Sequence, residues 1–315
     1  MKVNHSFKIS ILAIFACLLW STAFVGLKIT LADMKPLTLA GLRFFSAGLI
    51  VLLFSASFTK IAGMTRGQWK NVLRVGFFQT FLLYGLFHTG MTFVSGALGA
   101  IVIGASPLIA ALTAHWMIPD DRLTLRKTLT ISAGISGVIL IGLGRHPWEM
   151  SGLVELFGIL LLIASTFASS FGNVFVSRDF TLPPFLMNGI QLSAGGLGLV
   201  ILSLILEGVP VFPKTQSFYL AFAWLVFISS AGFSIWFYLL KQPGVKVSEL
   251  NFWKFILPVF GAVLSWIILP DESPDLISVA GMCIVAGSVF LFFLKPRSVM
   301  LVKICQLFSG RDSCT

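Results

Sequence analysis

The chain has 315 residues, of which 57% are hydrophobic and only 11% are charged, and its formal net charge at pH 7 is +10. A soluble globular protein carries about 25% charged residues, so these charges cannot cover a soluble domain of this length, and lipid suits the surface better. The positive charge does not indicate nucleic acid as a partner, because the basic residues lie in short stretches between long apolar runs.

The N-terminus resembles a secretory signal peptide, with a basic start, an apolar run and then small residues. The apolar run reaches at least Leu27, which is too long for an ordinary signal sequence. We therefore predict that this segment is an uncleaved first membrane span.

Ten apolar runs follow one another along the chain, and their lengths are close to the about 20 residues that a helix needs to cross the bilayer core. The connections between them are short and leave no room for a soluble domain. Spans 3 and 4 meet at 91–93 with almost no loop. We number the runs as spans 1 to 10, over residues 9–31, 37–58, 71–91, 94–118, 127–144, 152–177, 184–206, 217–240, 247–269 and 275–294.

The basic residues predict the orientation of these spans. With a cytoplasmic N-terminus, sixteen of the 22 lysines and arginines flank the cytoplasmic ends of the spans, and four flank the external ends. The remaining two, Arg43 and Lys254, lie inside spans. This asymmetry predicts an even number of spans with both termini in the cytoplasm.

One segment occurs twice, at residues 106–121 and 257–272. The copies are five spans apart, so they cross the membrane in opposite directions. The first copy is followed by three basic residues, as a cytoplasmic turn should be, and the second by none before Lys295. Five residue pairs match at a constant separation of 151 positions: Pro107 with Pro258, Ala111 with Ala262, Pro119 with Pro270, Asp120 with Asp271, and Asp121 with Glu272.

Weaker matches extend the repeat, since Pro36 precedes Ser46-Ala47-Gly48 by the same interval at which Pro183 precedes Ser193-Ala194-Gly195. We predict an all-α integral membrane protein with ten transmembrane helices in two inverted five-helix repeats around a central cavity. The repeats cover residues 1–146 and 151–296, and a basic cytoplasmic tail covers 297–315. Inverted halves of this kind are typical of secondary transporters, whose sites lie near the midplane.

Several motifs resemble the drug/metabolite transporter superfamily, in particular its EamA-type ten-helix exporters. They are Trp20-Ser21-Thr22-Ala23-Phe24, the turn leading to Pro36 and then Arg43-Phe44, and in each half a small-residue run into a proline and an acidic turn. The resemblance covers about residues 8–296. It implies a cavity lined mainly by spans 1, 3, 4, 6, 8 and 9, and export of amino acids, their derivatives or other small metabolites by exchange or with the proton gradient.

The sequence departs from that family at two places. The acidic turns read Pro-Asp-Asp and Pro-Asp-Glu, where the family usually has Gly-Glu or Glu-Arg. Lys254 stands where the family more often has an apolar or small polar residue. An ionisable side chain two turns inside a span indicates function, and Lys254 could hold a substrate carboxylate. The alternative is that it extends to the cytoplasmic interface and pairs with Glu249.

Further candidates lie in the predicted cavity helices and in span 2. Arg43 either anchors its helix through backbone carbonyls or Asp33, or binds substrate. Tyr84 and His88 are four residues apart and share one helix face; they suit solute binding or proton coupling, or they lie at the interface. The next candidates are polar or aromatic residues within spans: Trp20, Asn173, Trp236, Tyr238, Asn251 and Trp253.

Small residues and prolines predict how the helices meet and bend. Gly96, Ala100 and Gly104 form a ridge that permits a close helix crossing. Pro107 and Pro258 each remove a backbone hydrogen bond and kink their helices. Kinks at the same place in both halves suit gates or hinges, although prolines in membrane helices also form static bends.

The sequence contains no motif typical of a catalytic site, a phosphate loop or a metal site. We expect no enzymatic activity, no cofactor, and cysteines that are free thiols. The function that we predict is secondary transport of small metabolites out of the cell across the bacterial inner membrane, by alternating access of the two halves. Amino acids or their derivatives are the leading cargo, and protons or a counter-substrate are the coupling partner. The alternatives are a non-transporting scaffold or accessory subunit that docks through its tail, and a channel, for which neither half shows a continuous polar stripe.

Overall fold

The computed structural model of the chain describes residues 2–55, 58–94, 102–143, 152–179, 181–268 and 276–293. Within these ranges the chain forms helices and turns and contains no strand. Gly96, Ala100, the second acidic turn at 270–272 and the tail 297–315 lie outside the described residues.

The helices of the first half follow the predicted spans. Thr22 divides span 1, and a π-helical segment lies inside span 3. The bounds are Lys2–Ser21 and Ala23–Leu31 for span 1, Pro36–Ser55 for span 2, a short helix Phe58–Ala62, Arg66–Gly76, π-helical Phe77–Leu82 and Leu83–Met91 for span 3, Ser106–Met117 for span 4, and Leu125–Leu143 for span 5.

The second half contains three long helices before its first interruption, which is a 3-10 turn inside span 9. The bounds are Leu153–Arg178 for span 6, Pro184–Leu206 for span 7, Gln216–Leu240 for span 8, Val247–Phe252, the 3-10 turn Trp253–Phe255 and Ile256–Ile268 for span 9, and Leu276–Phe293 for span 10.

Five of the described helices are long and apolar enough to cross a membrane, judged by length and composition. Two shorter apolar helices cover Val102–Met117 and Leu276–Phe292. Spans 3 and 9 are divided into shorter pieces by the π-helical and 3-10 segments. The five long helices are Phe7–Leu31, Pro36–Ser55, Leu153–Arg178, Pro184–Leu206 and Gln216–Leu240.

Glycines allow the closest helix crossings. Spans 2 and 7 share the most extensive contact in the described part of the chain. A Cβ on Gly48 or on Gly196 would lie closer than 3.0 Å to backbone atoms of the opposite helix. In the same way, a Cβ on Gly137 of span 5 would lie 2.7 Å from the Gly281 carbonyl oxygen of span 10. The absence of side chains at these positions lets the backbones touch.

The helical winding changes shortly before both prolines. Pro107 lies two residues after a turn at Ala105, inside the helical run Val102–Met117, and Pro258 lies three residues after the 3-10 turn Trp253–Phe255. A proline has no N–H to donate to the preceding turn, and its ring crowds the carbonyl group four residues earlier. Both interruptions therefore lie in the turn that the proline disturbs, just before each copy of the repeated segment.

Acidic side chains connect the two halves at both ends of the bundle. At one end, the Glu207 carboxylate accepts hydrogen bonds from the backbone N–H groups of Leu37 and Thr38, both at 2.8 Å, and so caps span 2. At the other end, Asp121 accepts from the N–H of Ser248 at 2.9 Å and pairs with Lys127 at 2.7 Å. The buried Asp121 thus joins the end of span 4 to the start of span 9.

Candidate functional site

Asn173 lies at the centre of a polar network that joins four spans. Its side-chain oxygen accepts a hydrogen bond from the indole N–H of Trp236 at 3.2 Å and one from the amide of Gln79 at 3.4 Å. Its own amide group donates to the Asn251 side-chain oxygen at 3.1 Å. All four side chains are buried. Spans 3, 6, 8 and 9 therefore meet at the side-chain amide of Asn173, which accepts from spans 3 and 8 and donates to span 9.

Lys254 lies against this network, and no acid among the described residues pairs with it. Its ammonium nitrogen is 4.9 Å from the centre of the Trp236 ring, which is a cation–π distance. Glu249, the partner that the sequence suggested, instead faces Lys246 at 4.0 Å. The 3-10 turn Trp253–Phe255 contains Lys254, so the local change in helix winding sets where this side chain projects.

A row of aromatic rings continues from Trp236. The Trp20 ring is 5.2 Å from Trp236 and 5.2 Å from Phe233. Phe233 is in turn 6.2 Å from Phe44 and 6.3 Å from Tyr84, and the last two rings are 4.0 Å apart. The Trp20 indole N–H is buried and has no hydrogen-bond partner in the described part of the chain. The row therefore contains one N–H donor without a partner among the described residues, next to aromatic rings.

Arg43 and His88 lie at the far end of this row. The Arg43 side chain donates from Nε to the Leu225 carbonyl oxygen at 3.2 Å and to the Ser229 hydroxyl at 2.7 Å, and its Cζ is 4.8 Å from the Phe44 ring centre. The bond to Leu225 is a contact of the kind that the anchoring alternative predicts. Asp33, the alternative partner, accepts from Thr215 at 2.9 Å.

His88 and Tyr84 share a face, as their spacing predicted. Their ring centres are 5.9 Å apart, and His88 Nδ1 is 2.9 Å from the Tyr84 carbonyl oxygen. The other ring nitrogen, Nε2, is buried without a partner in the described residues. If the backbone oxygen accepts from Nδ1–H, Nε2 is a free acceptor in neutral histidine.

We use the name central cluster for the side chains from Lys254 to His88 that these contacts link. Seven of the residues singled out from the sequence as substrate-binding candidates, and Arg43, belong to it. The spacing of residues did not reveal that they would meet. The central cluster consists of Trp20, Arg43, Phe44, Gln79, Tyr84, His88, Asn173, Phe233, Trp236, Asn251 and Lys254.

Some polar residues beside the central cluster were not anticipated. Thr80 donates to the Gln191 side-chain oxygen at 2.6 Å, Gln191 donates to Asn188 at 3.0 Å, and Asn188 donates to the Ser234 hydroxyl at 3.0 Å. Gln79 and Thr80 both lie in the π-helical segment of span 3. The signal that could have found them is their polarity: neighbouring amide and hydroxyl groups inside an apolar span must bond within the protein.

The remaining candidates lie away from the central cluster. A Cβ on Gly104 would lie 2.1 Å from a side-chain carbon of Val138 in span 5. Gly104 therefore allows close helix packing within the first half. Pro107 is buried and Pro258 is half-buried. Tyr238, two residues from Trp236, is only partly buried and packs at the edge of the main hydrophobic core.

An apolar groove of about 460 Å³ opens on the outer surface between spans 9 and 10. Phe260 and Phe290 line it and are 40% and 65% exposed. A groove with these exposed rings suits lipid chains. The polar groups of the central cluster are not among its lining residues.

Helices of both halves thus place polar and charged side chains in the interior of an apolar bundle, which is the arrangement of a membrane transport protein. The EamA-like transporter family matches residues 7–143 and 156–294, which covers both halves of the chain. The chain belongs to this family of membrane transporters.

Relatives of similar length carry transporter names. An uncharacterized transporter of Synechocystis sp. is 24% identical over 98% of this chain and 96% of its own length. The uncharacterized transporter YoaV of Bacillus subtilis is 24% identical over 92% of this chain and 98% of its own length. The uncharacterized inner membrane transporter YedA of Escherichia coli K12 is 25% identical over 80% of each chain.

A solved structure supports the fold. A crystal structure of another protein aligns with a TM-score of 0.78 over 93% of this chain and 98% of the solved chain, at 20% sequence identity. At this identity the likeness shows a shared fold and carries no information about cargo.

Proposed function

We propose that the protein is a secondary active transporter of the bacterial inner membrane that exports small amphipathic metabolites, with amino acids and their derivatives as the leading class. The observation that carries this proposal is the central cluster. Trp20 and Gln79 of the first half meet Asn173, Trp236 and Lys254 of the second half there. A site built from both halves changes its access when one half moves against the other.

The packing of the helices supports two inverted five-helix halves. If the two halves are equivalent, each span corresponds to the span five positions away. The contact of span 1 with span 8 then corresponds to a contact of span 6 with span 3, and the contact of span 1 with span 9 to one of span 6 with span 4. All four pairs are in contact. The self-equivalent pairs, 2 with 7, 4 with 9 and 5 with 10, are also in contact. A pseudo-two-fold axis in the membrane plane gives this pattern.

The contacts at the ends of the helices support the proposed orientation. Arg178, at the end of span 6, donates to the Met117 carbonyl oxygen at the end of span 4. Lys241, at the end of span 8, donates to the Leu182 carbonyl oxygen at 2.6 Å. These neighbours share one end of the bundle, where basic residues concentrate. We assign this end, with both termini, to the cytoplasm.

Transport by the purified protein in liposomes tests the proposal. We expect saturable uptake or exchange of labelled solutes from an amino-acid and metabolite panel above that of protein-free liposomes. Trp236→Leu removes the hydrogen bond to Asn173 and the ring against Lys254, and each of these contributes about 1 kcal/mol. Transport should therefore fall by about tenfold or more.

Trp224→Leu provides the matched control. Trp224 is 41% exposed and bonds only Thr22 at 2.9 Å among the described residues, so its loss should leave the flux near that of the wild type. Equal flux in both variants would show that the central cluster is not the substrate site. Absence of any flux across the panel would favour a non-transporting scaffold.

A further inference from the structure

Two basic side chains lie inside the bundle at corresponding depths. Arg43 is the eighth residue of the helix Pro36–Ser55, and Lys254 is the eighth residue counted from Val247, where span 9 begins. Eight residues of α-helix rise about 12 Å, which places both well below the interface. Both belong to the central cluster, one at each end of the aromatic row.

No acidic residue lies at a comparable depth in the sequence. The chain has 12 acidic residues, and each lies in a connection, in the tail or within the first turn of a span. Of those that the structure describes, Asp121, Asp179 and Glu207 are engaged at helix ends. Glu249 and Glu155 lie in the first turns of their helices. The central cluster thus has positive charge and no carboxylate of its own among the described residues.

A charged ammonium group that is buried without an acid beside it is costly, and an anionic solute stabilises it. Lys254 makes its cation–π contact with Trp236, and no hydrogen bond from its ammonium group to another described residue is present. Both hydrogen bonds of Arg43 within the described chain come from Nε. The Trp20 indole N–H, on the same Trp236 ring, also lacks an acceptor among the described residues. Lys254 Nζ and the Trp20 N–H thus offer two donors to a solute with acceptor oxygens.

We propose that the central cluster selects organic monoanions: solutes with a carboxylate, an apolar or aromatic body, and no ammonium group. The carboxylate binds at Lys254, with the Trp20 N–H as a further donor, and the body lies along the rings of Trp20, Phe233 and Tyr84. This inference rests on the proposed transport function and narrows its cargo to the deaminated derivatives of amino acids. A free ammonium group adds a positive charge where two already lie and meets no acid.

Three solutes with the same skeleton separate the charge types. They are 3-phenyllactate, which is an anion, phenylalanine, which is a zwitterion, and phenylalaninol, which is a cation. The full-length protein in nanodiscs is titrated with each, and binding is followed by tryptophan fluorescence and by the shift in melting temperature. We expect 3-phenyllactate to bind about tenfold more tightly than phenylalanine, and phenylalaninol to give no shift.

Lys254→Met tests whether Lys254 binds the carboxylate of the solute, and Lys254→Arg tests whether another positive charge restores that binding. The methionine variant should weaken 3-phenyllactate binding by about tenfold and leave phenylalaninol unchanged, while the arginine variant should restore most of the affinity. Lys246→Met is the matched control, because Lys246 is a partly exposed lysine at the helix end, paired with Glu249. It should bind all three solutes as the wild type does.

Flux in liposomes distinguishes the failure of this inference from the failure of transport. Binding of 3-phenyllactate without flux supports the anion site and overturns the transport function. Flux of phenylalanine in preference to 3-phenyllactate leaves the transporter standing and overturns the anion preference. The preference is also overturned if none of the three solutes binds, or if Lys254→Met retains full affinity for 3-phenyllactate.

Discussion

Asn173 is fully buried where spans 3, 6, 8 and 9 meet, and three other side chains depend on it for hydrogen bonds. Asn173→Leu has nearly the same volume but leaves Trp236, Gln79 and Asn251 each without one partner. We expect a loss of about 2 kcal/mol in the free energy of unfolding. A melting curve in detergent measures it.

Gln216→Leu controls for the loss of an amide in general, because Gln216 is exposed at the start of its helix. Its melting temperature should stay near that of the wild type. A melting temperature of Asn173→Leu equal to that of Gln216→Leu would mean that the network contributes nothing to stability.

Asp179 and Lys241 form a second polar group, outside the spans at the end assigned to the cytoplasm. Burial raises the pKa of the Asp179 carboxyl, but hydrogen bonds from Thr181 and Asn71 and the charge of Lys241 outweigh it, so the pKa lies below its usual value. Burial lowers the pKa of Lys241 to about 8 from its ordinary 10.5, and Asp179 only partly opposes this.

Stability should therefore rise with pH between about 8 and 10.5. In this window the folded protein has released the Lys241 proton and the unfolded chain still holds it, so deprotonation favours the folded state. Melting temperatures across this range should show a rise in the wild type that is smaller in Lys241→Met. Lys246→Met should keep the wild-type rise. Parallel curves for the wild type and Lys241→Met would contradict the assignment.

At the scale of elements, the crossing of spans 2 and 7 depends on glycine. Alanine favours an isolated helix over glycine by about 1 kcal/mol, so helix propensity alone predicts that Gly48→Ala stabilises the protein. The tertiary contact predicts the opposite, since the new Cβ would overlap the backbone of span 7. We expect Gly48→Ala to lower the free energy of unfolding by about 1–3 kcal/mol, measured by thermal melting.

Gly67→Ala is the control, because it raises helix propensity at a position where the added Cβ overlaps no other atom. Gly67 is exposed, and a Cβ there would lie 3.8 Å from the Thr65 hydroxyl, an ordinary contact. This variant should melt at or slightly above the wild-type temperature. If Gly48→Ala behaves in the same way, the two helices are not in backbone contact.

The interruptions in the helices show how elements and site are related. The π-helical segment Phe77–Leu82 carries Gln79 and Thr80, and the 3-10 turn Trp253–Phe255 carries Lys254. Departures from α-helical winding change which face a side chain occupies. Counting residues at a period of 3.6 predicted helices through both regions but could not predict these changes, because they depend on the neighbouring spans.

At the scale of the whole molecule, Asp121 connects the two halves at the end assigned to the cytoplasm. Its carboxylate accepts from the Ser248 backbone and hydroxyl and pairs with Lys127. If the halves rock, these contacts break when that end opens. Asp121→Ala should favour the open form, with about a tenfold change for each 1.4 kcal/mol lost.

Cys17 reports this opening, since it is fully buried beneath that end and lies near Lys254. With the other three cysteines replaced by serine, Asp121→Ala should raise the rate of maleimide labelling at Cys17 by about tenfold. Asp120→Ala alters the neighbouring acid, which is exposed, and should leave the rate unchanged. Equal rates in the two variants would show that Asp121 does not hold the end closed.

The sequence by itself determined the class of this protein. The low content of charge requires lipid as solvent, the apolar runs set the positions of the helices, and the paired motifs predicted a two-part family that matches both halves. It also singled out Lys254, Trp236, Asn173 and Trp20, because polar or large aromatic side chains in an apolar helix are conspicuous without any structure.

Only the tertiary structure decided which of these residues meet. Lys254 faces Trp236 and not Glu249, Arg43 bonds span 8 and not Asp33, and Gln79 completes a network that the sequence did not suggest. The physical reason is that local pattern specifies the face and depth of a side chain within its own helix. In the three examples its partners come from 18 to 186 residues away. Their approach depends on crossings such as that at Gly48, where the absence of a side chain sets the distance between helices.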